Sequence, residues 1–401
     1  MWRFDVRRCW PAVLCVALVA CSDDEETSEQ DVQRTRTVIA YIAAENSLSA
    51  AAVSDVNEML ESAGAIPQGD HLVVYVDNTL LPRIYHINAS TKQTTMSALT
   101  PVEEYTDELD SATPDVMQEI IDWAVSNYPA DEYGLILWSH GTGWLPQSSS
   151  TASTRRKTFG VDNGSNTTSD IGTQMNISDM AGVLAQEPHF LFVLFDACFM
   201  QAMEVAYELY SYADYIIASP AEIPYNGAPY DLILPDLFAE AFDAGDVVDN
   251  YVAAYTYAGQ YACALSALDC AAFPQCSELA ANLLSAYADD ILAADYSGVL
   301  NYFDYDTYNT RLAIPDCYDL QGVLRQTLPT AEYTAWQAQL DACVYTLYSP
   351  TWYSEYGGYH TIDADQYGGI SLFIPLEKYN TRHPEFLSAY EQTAWGQCVA
   401  W

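Results

Sequence analysis

Two side chains with the chemistry of a general base and a nucleophile each follow an apolar run. His140 comes shortly after the run at 133–138, next to Gly141, and Cys198 comes shortly after the run at 190–195. Both runs have the length and composition of buried strands. Since ligands bind at the carboxyl ends of strands in open α/β sheets, we expect the imidazole and the thiol to meet at one edge of a sheet.

The surroundings of both residues favour nucleophilic acyl transfer. We predict a helix that begins near Cys198 and ends at about Tyr210, and a helix N-terminus stabilises a thiolate. The His140 imidazole can accept and return the proton during such a reaction. The neighbouring Gly141 allows close approach of a substrate, and its N–H can point at a developing oxyanion. Taken singly, each residue is more often a packing residue, and only the combination favours catalysis.

Segments typical of strands and helices alternate along the first two thirds of the chain. We predict strands at 37–44, 71–76, 83–88, 133–138, 190–195, 215–218 and 261–268, and helices at 47–63, 113–127, 176–185, 198–210, 231–243 and 247–258. This alternation predicts an α/β domain over 37–268, with a mostly parallel sheet covered on both faces. After it come a helix at 277–293, a tyrosine-rich stretch and a strand at 368–375. We interpret residues 269–401 as a smaller C-terminal domain.

The N-terminus resembles a bacterial lipoprotein signal peptide over residues 1–20. Three arginines precede a short apolar run at 11–20, which ends in the lipobox-like sequence Leu-Val-Ala-Cys at Cys21. The resemblance implies that Cys21 is lipidated and that residues 21–36 form an acidic tether. The serine and the acidic run after Cys21 resemble signals for the outer membrane and for surface export. An ordinary tether facing the periplasm is the alternative.

The net charge of the chain limits the classes of molecule that it is expected to bind. The 401 residues carry 55 acids and 14 Lys or Arg, which gives a formal net charge of −41. Without a basic face the chain is not expected to bind nucleic acid. The negative field would attract cationic ligands, including peptides with Lys or Arg, although solubility alone explains it equally well.

Cysteine usage singles out one thiol. Two of the ten cysteines leave with the signal peptide and Cys21 would carry lipid. Of the remaining seven, Cys198 stands apart, and six cluster in the last third of the chain, where they could form up to three disulfides. The sequence has no H-E-x-x-H or C-x-x-C motif, so a zinc site is not expected.

Four motifs resemble the clostripain family of the caspase–gingipain clan. They are LILWSHGTGW (135–144), VLFDACFMQAMEVAYEL (193–209), ADYIIASPAEIPYNGAPYD (213–231) and YGGISLFIP (367–375). The resemblance covers most of residues 37–376, and the histidine precedes the cysteine, as in caspases. It implies a caspase-like three-layer sandwich, and a cysteine endopeptidase that needs no cofactor.

The resemblance also implies roles for individual residues. His140 would be the general acid/base, Cys198 the nucleophile, and the backbone N–H groups of Gly141 and Cys198 the oxyanion hole. Asp196 would lie in the S1 pocket and pair with Lys or Arg at P1, the substrate residue before the scissile bond. Its alternative role is to cap the helix predicted after it. The loop at 219–230 departs from the family pattern, so the resemblance does not predict the detailed shape of the S1 wall.

Other residues carry weaker predictions. Family members are often activated by self-cleavage between the histidine and the cysteine. Arg155, Arg156 and Lys157 lie in that interval, and a solvated loop is the alternative. Asp77 and Asn78 follow a strand and could bind Ca²⁺, but a plain Asx turn is favoured. Glu204 and Glu208 lie at i and i+4 and are predicted to be ordinary surface charges.

Two classes of function therefore stay open. The first is an endopeptidase that cleaves after Arg or Lys, either broadly or as a processing enzyme with one dedicated partner. The second is a surface lipoprotein of the same fold with vestigial catalysis that captures peptides or glycans. The presence of both candidate catalytic residues favours the first.

Overall fold

A mixed sheet of nine strands forms the centre of the protein. The computed structural model describes residues 34–145, 158–162, 164–165, 167–168, 170, 172–258, 263–308, 314–349, 351–354 and 358–401. The strands are β1 (Arg36–Ala43), β2 (His71–Asp77), β3 (Arg83–Ile87), β4 (Glu103–Glu104), β5 (Glu132–Trp138), β6 (Phe159–Asp162), β7 (Thr173–Met175), β8 (Phe190–Asp196), β9 (Ala213–Ala218), β10 (Ala264–Asp269), β11 (Tyr318–Asp319), β12 (Val344–Tyr348), β13 (Thr351–Ser354), β14 (Gly358–Thr361) and β15 (Ser371–Leu372).

Helices fill most of the connections between these strands. They are α1 (Ser49–Glu61), α2 (Pro114–Asn127), α3 (Ile177–Leu184), α4 (Met203–Leu209), α5 (Tyr230–Leu237), α6 (Ala244–Ala258), α7 (Phe273–Ala286), α8 (Ala288–Ala293), α9 (Tyr305–Tyr308), α10 (Leu320–Thr327), α11 (Thr330–Cys343), α12 (Glu377–Arg382), α13 (Pro384–Tyr390) and α14 (Ala394–Cys398). Within the described ranges, no helix is both long and apolar enough to cross a bilayer.

The strand order in the main sheet is β12-β10-β9-β8-β5-β1-β2-β3-β4. The five central strands, β9, β8, β5, β1 and β2, run parallel to one another. The outer strands are antiparallel to their neighbours: β10 to β9 and β12 to β10 on one side, and β3 to β2 and β4 to β3 on the other. The predicted α/β sheet is thus confirmed, with parallel pairing among its five central strands, and each predicted strand of residues 37–268 coincides with an observed one within three residues.

Helices cover both faces of the sheet, as the apolar strands require. In β1, Val38 and Ile42 face the layer of α1, α5 and α6. The alternate residues Ile39 and Tyr41 face the opposite layer, which contains α2, α3 and α4. Because successive strand residues point to opposite faces, a strand buried on both sides must be apolar throughout. The result is the three-layer α/β sandwich that the family resemblance implies.

The C-terminal third of the chain completes this sheet. Strand β12 pairs with β10 in antiparallel register, with Leu265 opposite Leu347. Of the strand predicted at 368–375, only the two residues of β15 are observed as a strand, and they pair with β11 in a separate small sheet. The boundary predicted between 268 and 269 therefore falls inside one compact unit, which spans residues 34–401. The seven described cysteines all carry free thiols.

Glu204 is buried, which corrects its prediction as a surface charge. It is 0% exposed because the C-terminal segment packs over α4, and its Oε1 accepts a hydrogen bond from the Phe373 N–H at 3.0 Å. Its Oε2 has no hydrogen-bond partner among the described residues. Burial raises the pKa of Glu204 to about 8. Glu208, one turn later, is only partly buried and accepts from the Ala394 N–H at 2.7 Å.

Replacing Glu204 by Gln is expected to flatten the pH dependence of stability. Because the native pKa of Glu204 lies above the unfolded value of 4.5, the native state keeps a proton that the unfolded chain releases. Stability is therefore lost as pH rises from about 5 to about 8, at up to ~1.4 kcal/mol per pH unit. Urea unfolding of both proteins at several pH values in this window measures the two slopes. Equal slopes would contradict the assignment.

Candidate active site

The register between two parallel strands sets the position of the candidate catalytic pair. Trp138 of β5 lies opposite Asp196 of β8, and the Ser139 N–H donates to the Asp196 carbonyl at 3.3 Å. His140 and Cys198 each follow this register pair by two residues. Both therefore lie at the carboxyl end of the sheet, on neighbouring strands, as the sequence predicts.

Close backbone packing holds the two motifs together. A Cβ atom on Gly141 would lie 2.6 Å from the Cys198 carbonyl oxygen and 2.9 Å from the Met200 Sδ. Only glycine allows this approach, because real Cβ atoms do not come so close to a backbone oxygen. Gly141 also forms an isolated antiparallel bridge with Phe159, which ties the histidine loop to β6. The two N–H groups predicted as oxyanion donors thus belong to segments in direct contact.

Cys198 lies in a turn and does not begin a helix. Helix α4 begins only at Met203, so the predicted helix N-terminus at the thiol is wrong. After β8 the chain turns at Phe199, whose φ of 62° is in the left-handed region. The Phe199 N–H then donates to the Ala221 carbonyl at 2.9 Å, a pairing with the loop after β9. This tertiary hydrogen bond, absent from any local pattern, takes the place of the first helical turn.

A backbone donor contacts the sulfur of Cys198 instead. The Ile223 N–H points at the Cys198 Sγ, with the nitrogen and the sulfur 3.4 Å apart. Hydrogen bonding to the charged form of a group favours that form, so this contact favours the thiolate. Cys198 itself is only partly buried.

Two polar side chains that the sequence did not single out contact His140. The Ser47 Oγ lies 3.0 Å from the His140 Nε2, and the Asp170 Oδ1 lies 3.3 Å from the same nitrogen. The Ser47 N–H in turn donates to the Asp170 carboxylate at 3.0 Å. A carboxylate beside an imidazole orients the ring and stabilises its cation. Both contacts engage the same ring nitrogen, Nε2.

The sequence carried only a positional signal for these two residues. Ser47 follows β1, the strand next to β5, so the sheet order brings it to the edge that carries His140. Asp170 lies in the polar stretch between the histidine and the cysteine motifs, and no local pattern distinguishes it.

Asp196 is buried at the end of β8, two residues before the thiol. It is 2% exposed, and its Oδ2 accepts from the Ala228 N–H and from the Tyr230 hydroxyl, both at 2.9 Å. Burial raises the pKa of Asp196 to about 6. Since α4 begins at Met203, Asp196 does not cap a helix, and that alternative is wrong. Its Oδ1 has no hydrogen-bond partner among the described residues.

A second buried carboxyl group, Asp55 of α1, lies beside Asp196. Its Oδ2 accepts from the Trp138 indole N–H at 2.6 Å, and the residue is 0% exposed. Burial, followed by the nearby Asp196 charge, raises the pKa of Asp55 to about 9. The available sequence signal was an acid within the apolar stripe of α1, between Ala52 and Val56.

A separate acidic group marks the place where a cation could bind. Glu45, Glu108 and Asp162 each offer a carboxylate oxygen, and these oxygens lie within 4.8 Å of one another. Such oxygen donors suit Ca²⁺. Asp77 lies close by, and burial and the charge of Asp162 raise its pKa to about 10. Asn78 accepts from a backbone N–H two residues on, in the favoured Asx turn. A role for Ca²⁺ stays a prediction.

Several predicted sites lie outside the described residues. They are the signal peptide at 1–20, the lipidation site Cys21, most of the tether at 21–36, and the self-cleavage candidates Arg155, Arg156 and Lys157. These stay predictions from the sequence.

Similar proteins were found by sequence and by structure. Clostripain from Hathewaya histolytica is 26% identical over 231 residues, which cover 51% of this chain and 43% of that protein. The match thus spans less than half the length of that relative. An inactive zymogen C11 protease from Parabacteroides distasonis has a TM-score of 0.75 and 28% identity, covering 91% of this chain and 98% of that one.

A secreted C11 cysteine protease from Bacteroides thetaiotaomicron, solved in complex with an irreversible peptide inhibitor, has a TM-score of 0.73. It is 31% identical, and the match covers 92% of this chain and 99% of that one. The model of the clostripain family matches residues 40–401. Because that match takes in both candidate catalytic motifs and nearly all of the sequence, this chain belongs to the clostripain family of peptidases.

Proposed function

We propose that this protein is a cysteine endopeptidase that hydrolyses peptide bonds after Arg or Lys. One observation carries the proposal: His140 and Cys198 share the carboxyl edge of the sheet, with the buried carboxyl group of Asp196 two residues before the thiol. The related secreted protease of Bacteroides thetaiotaomicron, which takes an irreversible peptide inhibitor, supports the peptidase part.

The geometry supports the following course of reaction. The Cys198 thiolate, which accepts a hydrogen bond from the Ile223 N–H, attacks the scissile carbonyl carbon. The backbone N–H groups of Gly141 and Cys198 donate hydrogen bonds to the carbonyl oxygen as it becomes negatively charged. The His140 imidazolium donates its proton to the leaving amine and then activates the water that hydrolyses the acyl-enzyme. Asp170 holds the ring in place and stabilises its charge.

Electrostatics supports the preference for a basic P1 residue. The Asp196 carboxylate is buried, and among the described residues it forms no ion pair. A buried charge without a counterion is costly, so a cationic side chain that reaches Asp196 is bound favourably. The net charge of −41 also raises the local concentration of cationic peptides.

We further propose that Cys21 carries the lipid that anchors the enzyme to the outer membrane, facing the cell surface. The basic, apolar and lipobox-like segments of residues 1–21 support this, since they occur in the order that lipoprotein signals require. The alternative of a peptide- or glycan-binding lipoprotein with vestigial catalysis has no specific observation in its favour.

Fluorogenic peptides that differ only at P1 test the proposed function. We expect Arg or Lys to give kcat/KM values roughly 100-fold or more above norleucine, because only a cation can pair with the buried acid. Cys198→Ala protein, checked for folding by circular dichroism, should cleave none of them. Equal turnover of the norleucine substrate would refute the basic preference, and activity of the Cys198→Ala protein would refute the nucleophile.

Asp170→Asn is expected to lower kcat by about 10- to 100-fold, with a smaller effect on KM. Loss of the anion beside His140 disfavours the imidazolium, so the limb of the pH–rate profile that reports this histidine should move to lower pH. Asp214→Asn is a matched control, since Asp214 contacts the His189 Nε2 at 2.9 Å on the exposed surface. An unchanged profile in Asp170→Asn protein would contradict a positioning role.

Gly141→Ala is expected to lower kcat/KM by about 100-fold, because the new Cβ must displace the backbone of Cys198. Gly182→Ala is the control, since a Cβ there meets nothing within 4 Å. Kinetics with an Arg substrate and thermal melting of both variants separate the effects. Full activity of Gly141→Ala protein would show that the oxyanion segment tolerates displacement.

A further inference from the structure

We propose that Asp55 is a second specificity-determining residue, whose carboxyl group recognises the P1 cation jointly with Asp196. This inference rests on the proposed preference for Arg or Lys. It adds to the proposed S1 site of Asp196, in the sheet, a residue from the helical layer that covers the sheet. Asp55 lies in α1 and Asp196 at the end of β8.

The two carboxyl groups meet beneath a single glycine. A Cβ atom on Gly227 would lie 2.8 Å from the Asp55 Oδ2 and 2.8 Å from the Asp196 Oδ2. The two oxygens are therefore no farther apart than twice that distance, which a single guanidinium or ammonium group can span. Gly227 has a φ of +65°, so both its backbone conformation and the space around it favour glycine.

Each carboxyl group has one oxygen without a partner. The Oδ1 atoms of Asp55 and Asp196 are buried and have no hydrogen-bond partner among the described residues. The other oxygens are used, since Trp138 donates to Asp55, and Ala228 and Tyr230 donate to Asp196. Buried acceptors without donors cost free energy, and the N–H groups of a bound cation would satisfy both.

The charge of the pair suits one cation. Burial and the charge of Asp196 raise the pKa of Asp55 to about 9, whereas that of Asp196 rises, through burial, only to about 6. Near pH 7 the two groups together hold about one proton and one negative charge. A guanidinium with five N–H donors can bind both carboxyl groups at once, whereas an ammonium group is a compact point charge.

The position of the pair relative to the nucleophile fits an S1 pocket. Asp196 precedes Cys198 by two residues, and both Asp196 and Asp55 lie under the loop at 219–230, which also donates to the sulfur through Ile223. The turn around Gly227 covers both carboxyl groups, and the Tyr255 hydroxyl donates to the Gly227 carbonyl. Entry of a P1 side chain therefore requires this turn to move.

The test compares Asp55→Asn, Asp196→Asn and Glu204→Gln in the full-length protein, with P1 Arg, Lys and norleucine peptides. We expect Asp55→Asn to lower kcat/KM about tenfold or more for Arg, less for Lys, and by no more than about twofold for norleucine. Asp196→Asn should reduce the basic preference further. Glu204→Gln replaces another buried acid, away from this pair, and should keep the wild-type ratio of Arg to norleucine.

Different outcomes separate this inference from the proposed function. If wild-type protein prefers Arg and Asp55→Asn keeps the same ratio of Arg to norleucine, the role of Asp55 is refuted and the proposed function stands. If wild-type protein has no basic preference, both are refuted. Thermal melting checks that each variant folds. If Asp55→Asn protein does not fold, Asp55→Ser, whose smaller side chain leaves room for a water molecule, replaces it in the same assay.

Discussion

The parallel register between β5 and β8 is the constraint on which the site depends. Because Trp138 lies opposite Asp196, the residues that follow each strand leave the sheet side by side, and His140 and Cys198 lie at equal distances along the chain from that pair. A slip of one residue would turn one of the two side chains to the other face of the sheet. The two helical layers that pack on both faces of these apolar strands oppose such a slip, since it would exchange the side chains that pack against each layer. The fold thus fixes catalytic geometry through its core.

Beneath this edge the carboxyl groups of Asp55 and Asp196 are buried, and no cation of the described residues pairs with them. Two adjacent negative charges in a buried site are costly, and burial raises the pKa of both Asp55 and Asp196, so the pair together holds about one proton near pH 7. The remaining charge on Asp196 has neutral hydrogen-bond donors but no counterion among the described residues. Such a site is unfavourable when empty and favourable when a cation fills it, which is the condition for strong discrimination between basic and neutral side chains.

The features that could be predicted from the sequence are those set by interactions between residues close together along the chain. The central strands and the His140–Cys198 pair were predictable, because long apolar runs and local motifs carry them. The helix start was wrong by several residues, because the Phe199 N–H pairs with Ala221 far along the chain. Glu204 was placed on the surface because nothing local shows that the C-terminal segment covers α4. Asp55 interrupts the apolar stripe of α1, but its partners, Trp138 and Asp196, lie on strands far along the chain, so its place in the site could not be predicted.

The loop at 219–230 contacts both the proposed recognition residues and the proposed nucleophile. Its Ile223 N–H donates to the Cys198 sulfur, its Ala228 N–H donates to Asp196, and its Gly227 lies over the carboxyl pair. On the proposed recognition, a P1 cation must displace Gly227 to reach the acids. Only four positions of backbone separate Gly227 from Ile223, so the displacement would act on the same short loop that supplies the donor to the sulfur. Binding energy from the P1 side chain is therefore available to change the environment of the nucleophile, so a neutral side chain would lose catalytic rate as well as affinity.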